Sequence, residues 1–497
     1  SLAHQLTAIF NESIRSGSVP TQWKKANVVP IFKKGNPSHV SNYRPVSLLP
    51  CASKIMERCL FNHLYSFVEP RLHSLQHGFM KQRSCTTQLL KCYHSIGRTL
   101  DEGGQIDVLY LDFSKAFDSV PHSYLLFKLE HFYGVSGVLL DWFRSYLSDR
   151  VQRVVIEGQE SGWSDVTSGV PQGSILGPLL FLLFINDMPS VAQSCSIALF
   201  ADDCKIFKSI NSSHDCELLQ SDLTKLLIWS KKWGMQFNGS KCKILSITRS
   251  RNPVNFSYDL DGTILEPVGE FKDLGVVFNH NLSFTSHIDS LICKSNRVCG
   301  MIKRSLGYRA PQKVKTQLFK SLARPILEYS SQVWSPSAKR EIYAIESVQR
   351  SMTKYICNFR DVSYSSRLKE LEILPLCYRR EISDLILLFK YLRGHINVDF
   401  SDEVKILANT RSLRSSNHGL LLCEFNTRTE TFKGSYFNRV AHLWNILPCD
   451  LRNCSTVSVF KKCLFEFYFG KLDSSFNVFN SCTMTSICRC SGFYHAT

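Results

Sequence analysis

The run ILGPLLFLLFI at 175–185 is apolar on every side of a helix, and such a helix must be enclosed by lipid or by other protein elements. It falls short of the ~20 residues a membrane-spanning helix needs. A buried helix at the centre of a sizeable core is therefore expected, with no membrane as partner. The chain can supply that core. It has 497 residues, 44% hydrophobic and 20% charged, a balance that excludes a disordered chain or a small disulfide scaffold and suits two to four cooperating domains.

Charge is unevenly spread. The 59 Lys and Arg exceed the 42 Asp and Glu, which points to a polyanionic partner. Residues 1–100 hold 13 basic and 3 acidic side chains, residues 101–200 hold 5 and 12, and residues 291–400 hold 20 and 9. Two basic regions thus flank an acidic centre, as expected of an enzyme that grips phosphates and holds divalent cations between them. The 19 cysteines are scattered, with no CxxC pair and no secretory segment, so reduced thiols in an intracellular compartment are expected. The one cluster, Cys482, Cys488, Cys490 and His495, has irregular spacing for zinc. The chain opens on Ser1 directly in an amphipathic pattern and is expected to be a piece of something longer.

Periodicity gives a mixed first half and a helical second half, an α+β chain. ANVVPIF (26–32) and NYRPVSLL (42–49) read as a hairpin with a basic tip, and IDVLYLDF (106–113) as a central strand. RVQRVVIEG and the run near 163–167 form a second hairpin, and CSIALFADDCKIFKS (195–209) a third with an acidic turn. A helix over about 213–233 leads to the strand KCKILSIT and paired strands around 256–278; from 284 to about 400 the pattern is helical and basic.

Asp112 closes an apolar strand, and Asp202 and Asp203 occupy the turn of the third hairpin. Adjacent acids repel unless a cation neutralises them, so three converging carboxylates suit two Mg²⁺ ions, with Mn²⁺ as a substitute. Such a pair can activate a 3′-hydroxyl and stabilise leaving pyrophosphate. An Asp-Asp turn alone is most often merely solvated, so its setting matters.

That setting is YLDFSKAFDSVPH (110–122), SGVPQGSILGP (168–178) and LFADDCKIF (199–207). In order and spacing these resemble motifs A, B and C of reverse transcriptases, and their wording is similar to non-LTR (LINE-like, jockey- or CR1-type) retrotransposon enzymes. NYRPVSLL, HGFMKQRSCTTQ, GMQFNGSKCK, FKDLGV and LFKSLARPILEYSSQVWSP extend the resemblance, and FNRVAHLWNILP carries it to about residue 465. It implies an RNA-directed DNA polymerase with a right-hand fold: fingers at 1–100, a palm at 101–283 with part of the fingers inserted around 120–168, a helical thumb at 284–400, and an extension of unclear role at 401–497. RNA template, DNA primer or nicked target DNA, and deoxynucleoside triphosphates are the implied partners, with a cytoplasmic ribonucleoprotein and the nucleus as locations. Such elements encode an endonuclease upstream, which these residues lack, and no ribonuclease H constellation is seen.

The resemblance also implies roles. Asp112, Asp202 and Asp203 would bind metal and catalyse, and Lys241, with Lys243 as rival, would assist departing pyrophosphate. Lys33, Lys34 and Arg44 would meet the triphosphate, a task for which a guanidinium fork is well shaped. Phe117 would exclude a 2′-hydroxyl, although an ordinary core Phe is the competing reading. Ser168, Gly169, Pro171, Gln172 and Gly173 would support the nascent base pair, with Ser174 capping the buried helix. Phe271, Leu274 and Gly275 would form the primer grip. Gln76 and Arg83 would contact template or brace the fingers, and Asp118 is either a family acid or the cap of the helix after it. An RNA-dependent RNA polymerase is disfavoured by Phe117 and by Ala201 before the acids, and a group II intron maturase by the wording beyond residue 284. A truncated relic that binds nucleic acid without turnover is the alternative.

Overall fold

The computed structural model describes residues 2–358, 362–407 and 420–472. The Cys482, Cys488, Cys490 and His495 cluster lies outside them. The fold is α+β, and the chain divides into two compact units, one of residues 1–80, 108–244 and 254–267, the other of 81–107, 245–253 and 268–497.

In the first unit the basic hairpin forms from the strands Lys25–Phe32 and Tyr43–Leu48, paired antiparallel with Ile31 opposite Arg44. The inner strand also pairs in parallel with Arg150–Ile156, which in turn takes Gln159–Glu160 and Ser164–Val166 as antiparallel neighbours. A second sheet carries the acidic residues. Its strand order is Glu266–Pro267, Lys243–Thr248, Gln105–Leu111, Asp203–Ile210 and Ser196–Phe200. The strand Gln105–Leu111, buried at every residue, is central, as its nearly continuous apolar run predicts.

The predicted buried helix is Leu176–Ile185, with Leu176, Leu180, Phe181, Leu183 and Phe184 all enclosed. Two side chains satisfy its N-terminal amides, which have no partners within the helix. Ser174 Oγ accepts from Gly177 N–H at 2.9 Å, as expected. The second was not foreseen: Glu57, buried on the helix Cys51–Val68, accepts from Ile175 N–H at 2.8 Å and Leu176 N–H at 3.1 Å. A carboxylate at a helix N-terminus also meets the positive end of the helix dipole.

The second unit is mainly helical, with long helices at Thr285–Leu306, Lys339–Cys357 and Leu376–Leu392. Its hairpin, Glu270–Asp273 and Val276–Asn279, turns through Leu274 and Gly275, both at positive φ. No helix among the described residues is long and apolar enough to cross a membrane, and the described cysteines are free thiols.

Candidate active site

The acidic hairpin has the shortest loop such a structure allows. Phe200 pairs with Asp203, so only Ala201 and Asp202 turn the chain. Ala201 sits at φ 55°, a region that costs an L-residue with a Cβ roughly 1–2 kcal/mol. Asp202 is half-buried in this turn and Asp203 is exposed at the start of its strand.

Asp112 lies one residue past the central strand, the sheet neighbour of the strand that Asp203 begins. Its position is fixed through the backbone: its carbonyl accepts from Asn238 N–H at 2.7 Å, and its N–H donates to the buried Cys242 Sγ at 3.4 Å. The rings of Phe113 and Phe237 stack at 4.4 Å beside it. The same loop delivers Lys241, whose Nζ lies 3.2 Å from Asp112 Oδ2. Lys243 is committed elsewhere, to Glu266 and to Ser240 O.

Electrostatics tie these groups together. Burial raises the Asp202 carboxyl above its usual range, its own backbone amide opposes that, and the charge of Asp112 raises it further. Arg44 and Lys33 act in the opposite sense, so Asp202 feels both the facing carboxylate and the basic hairpin. Among the described residues no three His, Cys, Asp or Glu side chains stand together as a metal-holding group. The donor chemistry nonetheless fits a hard divalent cation: Asp202, whose ionisation the charge of Asp112 disfavours, a third carboxylate on the same turn, and oxygen ligands throughout.

The loop of SGVPQGSILGP packs on the segment after Asp112. Gly169 N–H donates to Val120 O and Val170 N–H to Phe117 O, both at 2.8 Å. Ser168 Oγ donates to Asp118 O, and Gln172 Nε2 to Asp118 Oδ1, both at 2.9 Å. A Cβ on Gly169 would lie 2.6 Å from Asp118 Cα, and one on Gly173 2.4 Å from Ser47 O, so both positions require glycine. Ser47 N–H donates to Gln172 O at 2.7 Å, joining this loop to the basic hairpin. Pro171 O accepts from Ser174 Oγ.

The cap role considered for Asp118 is corrected: the following helix, His122–His131, has Pro121 at its N-cap and no side-chain cap. Asp118 ends a short 3₁₀ turn instead and holds Gln172. Phe117 is half-buried; its ring stacks on Phe181 at 4.4 Å and meets Phe79 edge-on at 6.2 Å. It is neither sealed in the core nor free of it. Lys33, Lys34 and Arg44 are exposed.

In the second unit, Phe271, Leu274 and Gly275 lie on the tight hairpin. Tyr329 OH donates to Leu274 O at 2.9 Å, and a Cβ on Gly275 would meet that ring at 2.9 Å. Arg83 braces backbone, donating to Asn397 O at 2.8 Å. Sequence reasoning missed Glu57 and Cys242. A lone Glu on the apolar face of the helix carrying Met56, Leu60 and Leu64 was the one visible hint of the first.

Residues 31–278 match the family model described as reverse transcriptase (RNA-dependent DNA polymerase). The RNA-directed DNA polymerase from mobile element jockey of Drosophila melanogaster is 30% identical over 370 residues, covering 71% of this chain and 39% of that protein. The probable RNA-directed DNA polymerase from transposon BS of the same fly is 29% identical over 367 residues, covering 71% and 40%. This chain therefore spans about two fifths of those relatives. A solved telomerase from Candida albicans aligns over 77% of this chain and 62% of its own at 12% identity, with a TM-score of 0.38. With three ordered motifs gathered at one sheet edge and loop, and with these relatives, the chain belongs to the reverse transcriptase family, among the LINE-like enzymes of non-LTR retrotransposons.

Proposed function

We propose that this chain is an RNA-directed DNA polymerase that extends a DNA primer, by family analogy a nicked chromosomal strand, on an RNA template. The observation that carries the reading is the contact of Lys241 with Asp112, together with the charges of Asp112, Arg44 and Lys33 acting on Asp202, across sequence separations of some 90 to 170 residues. In this reading residues 1–100 act as fingers, 101–283 as palm and 284–400 as thumb.

Asp112, Asp202 and Asp203 would hold two Mg²⁺ ions, which when bound supply an activated 3′-hydroxyl and charge stabilisation at the phosphate. Arg44 and Lys33 bring positive charge to the triphosphate end of the substrate. Phe117 gates the sugar from a ring fixed by Phe181. Gly169, Pro171, Gln172 and Gly173 form a loop whose closeness to Asp118 and Ser47 leaves it little freedom, which suits a platform for the new base pair. Lys241, beside Asp112 at 3.2 Å, would donate a proton to departing pyrophosphate. Phe271, Leu274 and Gly275 supply the primer grip.

The test is deoxynucleotide incorporation by purified protein on a primed RNA template with Mg²⁺, lost on Asp202→Ala with Asp203→Ala. A wild-type protein that binds RNA as well as that variant does, and extends nothing, would establish the binding-relic alternative. Phe117→Val should admit ribonucleotides at least tenfold more readily; unchanged discrimination removes Phe117 from the gate.

A further inference from the structure

The acidic turn is held from outside its own hairpin. Gln76 is 3% exposed, and its side-chain amide addresses one residue twice. Gln76 Oε1 accepts from Ala201 N–H at 2.9 Å, and Gln76 Nε2 donates to Ala201 O at 3.4 Å. The same Oε1 also accepts from Gly78 N–H at 2.8 Å, which locks the amide in orientation. Around it the segment runs as a short parallel partner of the Ser196–Phe200 strand: Gln76 bridges Leu199, His77 N–H donates to Leu199 O, and Leu199 N–H to Leu75 O.

The approach leaves no slack. A Cβ on Gly78 would lie 2.2 Å from Ala201 N and 2.8 Å from Phe200 C, distances at which backbone would have to move. Ala201 is the residue in the left-handed region, where glycine would be at ease and alanine is not. A disfavoured conformation persists only where its surroundings over-determine it, and here the backbone N–H and C=O that flank the strained residue both meet one buried amide.

We infer that Gln76 is a positioning residue: by pairing with both the N–H and the C=O of Ala201 it holds the left-handed turn that presents Asp202 and Asp203 for metal binding. Use of the turn in catalysis rests on the polymerase reading; the clamp itself does not. Gln76 therefore acts on the acidic turn, where its motif suggests template contact or a brace for the fingers.

The experiment compares wild type, Gln76→Ala, Gln76→Glu, and Gln76→Ala combined with Ala201→Gly. Three readouts are taken on the full chain: amide hydrogen exchange over residues 199–204 without nucleic acid, Mn²⁺ binding to the free protein by electron paramagnetic resonance, and primer extension resolved into kcat and the KM for template-primer. Gln76→Ala should speed exchange at 199–204 at least tenfold, weaken Mn²⁺ binding several-fold and lower kcat 10- to 100-fold, with KM changed less than threefold. The Ala201→Gly addition should recover part of the kcat and Mn²⁺ losses, because glycine adopts the turn without help. Gln76→Glu keeps an acceptor for Ala201 N–H but cannot, as a carboxylate, donate to Ala201 O; it should fall between, and it serves if Gln76→Ala fails to fold. Unchanged exchange and Mn²⁺ binding with a raised KM would overturn the clamp in favour of template contact. Absence of extension by wild type would sink the polymerase reading, while the exchange and Mn²⁺ arms would still decide the clamp.

Discussion

The two units treat buried acids in opposite ways. In the second, Asp384 and Arg439, each 1% exposed, face one another in a two-point pair, Nε to Oδ2 at 2.8 Å and Nη2 to Oδ1 at 3.1 Å. Glu346, also buried, takes Tyr364 OH and the N–H groups of Leu376 and Cys377 at the start of a helix. In the first unit Glu57 is used in this manner, but the charge of Asp112 adds to the cost of ionising Asp202 rather than relieving it. An acid matched by a guanidinium or by amide N–H groups has part of its burial cost offset. Facing acids at the end of a sheet are tolerated where something else gains from them, and the contrast marks the site more sharply than the acidic composition of residues 101–200 does.

The largest expected effect separates activity from stability. Asp202→Asn should cost at least a thousandfold in primer extension, about 4 kcal/mol of barrier, while its melting temperature stays level or rises, because a repelling charge has gone. Asp384→Ala should do the reverse: it leaves Arg439 buried without its partner and costs about 3–5 kcal/mol in denaturant unfolding, with the folded fraction's specific activity changed less than threefold. A stabilising Asp384→Ala or a destabilising Asp202→Asn would break the contrast.

Acid sharpens it with a smaller effect. Burial, then Arg98 and Lys91, lowers His94 from 6.5 to about 4, and burial, then Lys294 and Lys272, does the same for His287. A histidine whose folded pKa is depressed contributes stability that is full above 6.5 and lost as pH falls towards 4, on the order of 1–3 kcal/mol each. Asp202 carries the opposite sign. Its raised carboxyl favours the folded state at low pH, and that contribution is lost as pH rises through the folded value. Unfolding followed from pH 7 to 4 should therefore show the second unit weakening, less so in His94→Phe. At the far end, the exposed pair Lys231 and Asp261, 2.5 Å apart, should matter little: Lys231→Ala is expected to change stability by less than about 1 kcal/mol.

Much of this was legible in the sequence because it is local. Continuous or nearly continuous apolar runs predicted the central strand and the buried helix, the strand-like flanks of a tight acidic turn predicted a hairpin, and Leu274–Gly275 lies in the turn of another. What sequence could not supply is long-range partnership. The parallel pairing of Lys25–Val28 with Val151–Val154 leaves no periodic trace, and the clamp of Gln76 on Ala201 joins residues 125 positions apart. The cap, one of the two readings of Asp118, fails for the same reason. Near a helix start, a cap is the cheapest local explanation, and its real partner, Gln172, lies beyond any local window. Lys241 and Lys243 are indistinguishable by spacing; their partners, Asp112 for one and Glu266 for the other, separate them.

The two-residue loop between Phe200 and Asp203 has an evolutionary corollary. Successive side chains of a strand point to opposite faces, so a single-codon insertion or deletion that shifted the pairing of Ala198 with Lys205 by one residue would turn the following strand over and carry Asp203 to the other face. Point changes along this hairpin can be sampled one at a time; a change of register moves every residue of the strand at once. Among active copies of such an element, frame-preserving indels should therefore be scarcer in these two codons than in the segment 249–258, where the chain runs free of regular pairing.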